Sequence, residues 1–128
     1  MVARKLKEYI NNMIIAFDID DTIISPCVAT GFATDTPNYD VIAVYRFFQA
    51  QGHTMICWSG GGIDYARMWA EKLGLQPDQV MRKEKVMDMN DKPYVDIAFD
   101  DCIVDLATTN IKVKRLNNSI SRADWNKH

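Results

Sequence analysis

The chain has 128 residues, of which 48% are hydrophobic and 25% charged, and a formal net charge of −2. That length supports one domain around one core, and no apolar run approaches the ~20 residues that a membrane-spanning helix requires. Residues 1–12, "MVARKLKEYINN", are basic without an apolar stretch behind them and do not read as a secretory signal, so the expected compartment is cytoplasmic.

Three cysteines, Cys27, Cys57 and Cys102, are an odd number without a CxxC spacing, which argues against a disulfide framework and against zinc. Charge is unevenly distributed: residues 1–12 carry +2 and residues 111–128 carry +4, which leaves −8 between them. Basic ends can meet phosphate backbones, although solvated surface is the commoner use of such runs.

The first predicted element is the stretch "MIIAFDIDDTI", residues 13–23. Its apolar lead-in reads as a strand buried on both faces, as in a parallel sheet. Asp18, Asp20 and Asp21 follow within four positions, and carboxylates so close repel one another unless a cation sits among them. The loop "SPCVATGFATDTPN" comes next. A helix is expected after it, capped by Thr36 with Pro37 in its first turn, an apolar face of Val41, Val44, Tyr45 and Phe48, and an end at Gly52.

"HTMICW" reads as a second strand, and Gly60, Gly61 and Gly62 turn the chain into a second helix. That helix carries Ala66, Trp69, Ala70 and Leu73 on one face and stops at Gly74. "QVMR" is a short third strand, "YVDIAF" a fourth that ends in Asp100 and Asp101, and "NIKVKRL" a fifth. Residues 117–128 are expected to be a loose tail, and residues 1–12 an N-terminal extension.

Repeated strand–helix–strand units predict an α/β fold: a three-layer, Rossmann-like parallel sheet with helices on both faces and right-handed crossovers. Parallel strands end on one edge, so Asp18, Ser59 and Asp100 should gather there, where open α/β sheets bind ligands.

With these residues in view, the chain resembles the haloacid dehalogenase superfamily of phosphohydrolases. "DIDDT" matches its DxDxT signature, "MICWS" its second motif ending at Ser59, and "IAFDD" its fourth motif ending in Asp100 and Asp101. The matches span residues 13–101 in the family's order. A carboxylate can attack phosphorus to give an acyl phosphate, and Mg²⁺, a hard ion that prefers oxygen ligands, can sit between an anionic nucleophile and an anionic ester.

The resemblance implies that Asp18 is nucleophile and metal ligand. It implies that Asp20 binds metal through its backbone carbonyl and works as general acid/base through its side chain. Ser59 and the Gly60 amide would hold phosphoryl oxygens, and Asp100 and Asp101 would complete the shell around Mg²⁺. Haloacid dehalogenases proper lack the second acid, so Asp20 favours phosphate esters.

The family's third motif is a single lysine, with Lys83, Lys85 and Lys92 as candidates. Lys92 precedes the fourth strand, and eight extended residues put its Cα about 25 Å from that of Asp100. Lys83 follows the third strand at the catalytic edge and is the expected phosphate-side cation; Lys85 is next, and the side chain of Arg82 is expected to be turned away. Asp21 is expected to be merely solvated, His53 to be a surface loop residue on the far side, and Trp58 to pack in the core. Asp105 and Cys27 are left without a role.

Many superfamily members carry a cap domain after motif one or two. Here 36 residues separate Thr22 from Ser59, and 40 separate Ser59 from the acid pair. Neither interval holds a cap, so the single domain resembles capless members such as small magnesium-dependent phosphatases and the phosphatase domain of phage polynucleotide kinase. An open site suits a phosphorylated end of a polynucleotide or protein, a small phosphorylated molecule, or a homo-oligomer that lends cover. No membrane partner is expected. The alternatives are a receiver-like phosphoacceptor and a catalytically silent metal-binding module.

Overall fold

The computed structural model describes residues 12–25 and 35–114. The expected tail, nearly all of the N-terminal extension, Cys27 and the end of "NIKVKRL" lie outside the described residues. Five strands form one parallel sheet: β1 (Ile14–Asp18), β4 (Thr54–Ser59), β5 (Gln79–Arg82), β6 (Ile97–Asp100) and β7 (Thr109–Lys112). Their order is β5-β4-β1-β6-β7, with Ala16 paired to Ile56 on one side and to Ala98 on the other. The remaining elements are a two-residue hairpin, β2 (Ile24–Ser25) with β3 (Thr36–Pro37), and the helices α1 (Tyr39–Ala50) and α2 (Ile63–Lys72).

Both helices cover the same face of the sheet. Val41 and Tyr45 of α1 and Ala66, Trp69 and Ala70 of α2 pack with Ile15, Phe17, Met55, Cys57 and Phe99 in one core cluster. The steps from β1 to β4 and from β4 to β5 run the same way across the sheet, so right-handed crossovers put both helices on one side. The chain then returns past β1 to β6 and β7, which sends its last connections over the opposite face.

Those connections hold no helix. Tyr94, Val95, Leu106 and Ala107 pack there on Ala16, Ile56, Trp58 and Ala98. The expected helices on both faces are therefore corrected: among the described residues the second face is covered by irregular chain. The segment "KEKVMDMNDKPYVD" is folded back on itself by a Met87–Pro93 bridge, with Asp91 at φ +59°, and has no room for a helix. Among the described residues, no helix is long and apolar enough to cross a membrane.

The start of α1 also differs from expectation. Thr36 and Pro37 pair with Ser25 and Ile24, and Asn38 caps the helix by accepting the Val41 N–H at 3.4 Å. Asparagine is among the best N-cap residues, and the hairpin removes Thr36 from competition. Val41 and Tyr45 are buried as predicted, whereas Val44 is exposed.

Side chains end the ladders at the edge away from the site. Asp96 accepts the Ile14 N–H on Oδ2 at 2.7 Å while its own N–H donates to the Ile14 carbonyl, and Asp78 makes the same pair with Met55. His53 accepts the Met13 N–H on Nδ1 at 3.1 Å. It is buried at this far edge, which corrects its expected place on the surface. A carboxylate that satisfies a partly buried N–H contributes about 1.5–3 kcal/mol. Asp96→Ala is accordingly expected to lower unfolding free energy by roughly that amount in urea titration, and an unchanged midpoint would show the clamp to be idle.

Candidate functional site

The order of strands reverses at β1, whose neighbours β4 and β6 come from opposite directions of chain travel. Its carboxyl end is thus a topological switch point, the usual ligand crevice of such sheets. Asp18, Ser59 and Asp100 end β1, β4 and β6 there, and all three are buried together with Asp101.

After β1 the backbone closes a tight turn in which the Ile19 carbonyl accepts the N–H groups of Thr22, Ile23 and Ile24 at 3.0–3.3 Å. Asp21 takes φ +62° in this turn, a left-handed conformation that aspartate adopts more readily than most residues. It is buried rather than solvated, contrary to expectation. The turn swings the fully buried Thr22 back so that its Oγ1 donates to Asp18 Oδ2 at 3.4 Å. The threonine that ends "DIDDT" therefore orients the first aspartate. Asp20, half-buried in the same turn, accepts a 2.5 Å hydrogen bond on Oδ1 from the hydroxyl of Tyr65.

Ser59 is held by the glycine turn that follows β4. Its Oγ accepts the Gly61 N–H at 2.9 Å, and its carbonyl accepts the N–H groups of Gly62 and Lys83. A Cβ on Gly61 would lie 3.3 Å from Ser59 Oγ, a tight approach, and in ordinary contact at 3.5 Å from the Tyr65 ring. Gly60 is exposed and faces open space.

Lys83 directly follows β5, tied to Ser59 through its backbone. Its Nζ lies 3.0 Å from Asp100 Oδ2 and 3.3 Å from Asp18 Oδ1, spanning the ends of β1 and β6. The other two candidate lysines are elsewhere. Lys85 pairs with Asp105 at 3.0 Å on an exposed surface, which also accounts for Asp105. Lys92 lies in a turn closed on Asp88, before the far end of β6. Arg82 is exposed.

At the end of β6, Asp100 Oδ1 accepts the Cys102 N–H at 3.0 Å, and the Cys102 thiol approaches Asp101 Oδ2 at 3.6 Å. Ligand atoms of Asp100, Asp101 and Cys102 all lie within 4.8 Å of one another. Trp58 is fully buried in the second-face cluster, as its expected packing role requires.

The electrostatics record how crowded these acids are. Burial, then the charge of Asp100, with a further contribution from Asp101, pushes the Asp18 carboxyl up to about 8 against the pull of Lys83. Asp100 is also raised, chiefly by burial, and Cys102 N–H and Lys83 oppose the shift. Burial lowers the Lys83 ammonium, but Asp18 and Asp100 outweigh it and hold it above the usual lysine value. Burial, followed by its bond to Asp20, keeps the Tyr65 hydroxyl well above the tyrosine range and hence a donor.

Three buried carboxylates thus gather at this edge, and two of them, Asp18 and Asp100, pair with one ammonium. Carboxylate oxygens so grouped are hard donors of the kind that can hold a metal ion. The thiol of Cys102 at the rim is the one soft donor in the group.

Sequence reasoning brought Asp18, Ser59, Asp100 and Lys83 to one edge but did not single out Tyr65. Its place in the first turn after Gly62 follows from the predicted helix, whereas its contact with Asp20 crosses 45 positions of sequence. No protein-family model matches the chain, and neither does any curated protein or solved structure.

Proposed function

We propose that this protein is a magnesium-dependent phosphatase of the haloacid dehalogenase type, hydrolysing phosphomonoesters through a phosphoryl group carried on Asp18. The observation that carries this reading is the meeting of Asp18, Ser59, Lys83 and Asp100 at one sheet edge, with Lys83 Nζ between the two carboxylates. An ion pair serving stability alone would not need a second buried acid, a third beside it, and a serine on a glycine turn. The order of "DIDDT", "MICWS" and "IAFDD" along the chain supports the same conclusion.

In the first step an Asp18 carboxylate oxygen attacks phosphorus, the ester P–O bond breaks, and the leaving oxygen takes a proton from Asp20. In the second, a water gives its proton to Asp20 and attacks phosphorus. The bond to Asp18 then breaks and inorganic phosphate leaves. Ser59 Oγ, the Gly60 N–H and Lys83 Nζ bind the phosphoryl oxygens, and Thr22 keeps Asp18 aimed. Asp18, Asp100, Asp101 and the Asp20 carbonyl are the groups that would hold Mg²⁺, which when bound offsets the repulsion between nucleophile and ester.

The hairpin β2–β3 and α1 are the described elements between β1 and β4, and α2 and β5 those between β4 and β6. With no lid among the described residues of either interval, the site suits a phosphate at the end of a polynucleotide or protein, or a second copy that lends cover.

The test is release of phosphate from p-nitrophenyl phosphate and from 3′- and 5′-phosphorylated oligonucleotides, with and without Mg²⁺. Sustained Mg²⁺-dependent turnover is expected. A single stoichiometric phosphorylation would indicate a receiver-like phosphoacceptor, and no reaction a silent module. Asp20→Asn is expected to cost about 10²-fold or more in kcat while leaving Mg²⁺ affinity by calorimetry nearly unchanged, because its metal contact is the backbone carbonyl. Equal losses in both would overturn that division of roles.

A further inference from the structure

Asp20 must present one carboxyl oxygen to a leaving group, yet it sits on a turn whose backbone alone does not fix its side chain. The neighbouring residue Asp21 is left-handed, and the backbone of Asp20 forms an isolated bridge to Ile24. Tyr65 supplies a fixed reference. It stands in the first turn of α2, whose inner face is anchored in the core by Ala66, Trp69 and Ala70. Its ring lies beside the glycine turn that holds Ser59, 3.5 Å from where a Cβ on Gly61 would stand. From there its hydroxyl reaches Asp20 Oδ1 at 2.5 Å.

We propose that Tyr65 is a positioning residue for the general acid: by donating to Asp20 Oδ1 it fixes the carboxyl rotamer and leaves Oδ2 to carry the proton to the leaving oxygen. The inference rests on the phosphatase reading given above. With Oδ1 engaged as an acceptor, the acid form of Asp20 bears its hydrogen on Oδ2. One tyrosine thus links the two halves of the site, the turn after β1 and the glycine turn after β4. A short bond from a hydroxyl to a carboxylate is among the stronger kinds of hydrogen bond, so it can set the Asp20 rotamer, which the backbone bonds of the turn do not reach.

Tyr65→Phe removes the hydroxyl and keeps the ring over Gly61. A positioning role predicts a loss that depends on the leaving group. An alkyl phosphate, whose departing oxygen needs the proton, should lose about tenfold or more in kcat with KM within twofold. p-Nitrophenyl phosphate, whose phenolate leaves readily, should lose less than about threefold. Equal losses on both esters, or none on the alkyl ester, would overturn the proposal.

A second measurement does not need turnover. Three-bond couplings of the Asp20 side chain in the metal-free protein should report one χ1 rotamer in the wild type and averaged rotamers in Tyr65→Phe. A single unchanged rotamer in the variant would also overturn it. If the wild type hydrolyses neither ester, the phosphatase reading fails, while the couplings still decide whether Tyr65 orients Asp20.

Discussion

Asp18→Asn is expected to reduce Mg²⁺-dependent phosphate release to below about one per cent of wild type while making the metal-free protein more stable above neutral pH. The amide keeps the shape of the side chain but can neither attack phosphorus nor bring charge to a metal. Activity of more than a few per cent would place the nucleophile elsewhere.

The stability gain has a separate physical origin. In the folded protein the Asp18 carboxyl is pushed up to about 8, first by burial and then by Asp100, whereas in the unfolded chain it titrates near ~3.9. A group raised in this way contributes stability that is fully present below the unfolded value and lost as pH rises through the folded one, because the folded state holds the extra proton in between. The melting temperature of Asp18→Asn in excess EDTA should therefore climb relative to wild type between about pH 4 and pH 8. A gap that does not change with pH would mean that Asp18 costs the fold nothing. Loss of function paired with gain of stability is the pattern of a residue kept for chemistry.

How much of this could be seen in the sequence depends on the distance over which each feature is decided. "MIIAFD" and "TMICWS" announce buried parallel strands because every residue of such a strand is apolar until the edge, where Asp18 and Ser59 appear. Lys83 could be chosen over Lys92 because strand direction alone places one at the edge that carries Asp18 and Asp100 and the other at the far end. The layering could not be read this way. Both helices share a face because β1, β4 and β5 are successive neighbours, and a list of elements does not carry the strand order.

Polar residues that are buried were misread for a related reason. His53 and Asp21 look like surface residues by type. His53 is satisfied by the Met13 N–H, 40 positions away, and Asp21 is buried because it lies in the turn that delivers Thr22 to Asp18. The start of α1 was missed because a strand of two residues, Thr36–Pro37, leaves no periodicity to detect.

Lys83→Ala should be the most damaging change among the lysines, lowering kcat/KM by about 10²-fold or more, while Lys85→Ala and Lys92→Ala stay within about twofold. Lys83 is the cation between Asp18 and Asp100, whereas Lys85 is committed to Asp105 at the surface and Lys92 lies at the opposite end of the sheet. If Lys92→Ala alone cripples turnover, Lys83 is not the phosphate-side cation. The same substitution should also weaken the metal-free fold. Well above pH 8, where the Asp18 carboxyl has lost its proton, removing the ammonium leaves Asp18 and Asp100 buried and charged without compensation, and stripping one partner from a buried ion pair typically costs about 3–5 kcal/mol.

A double-mutant cycle separates this cost from mere loss of packing. Measured at that alkaline pH, the Asp18→Asn background has already lost one of the two stranded charges, so Lys83→Ala should destabilise the metal-free protein much less than it does the wild type. Added Mg²⁺ should restore more of the lost melting temperature in Lys83→Ala alone than in the double variant, because the single variant keeps all three carboxylates. Equal destabilisation in both backgrounds would mean that Lys83 acts through its aliphatic stem and not through its charge.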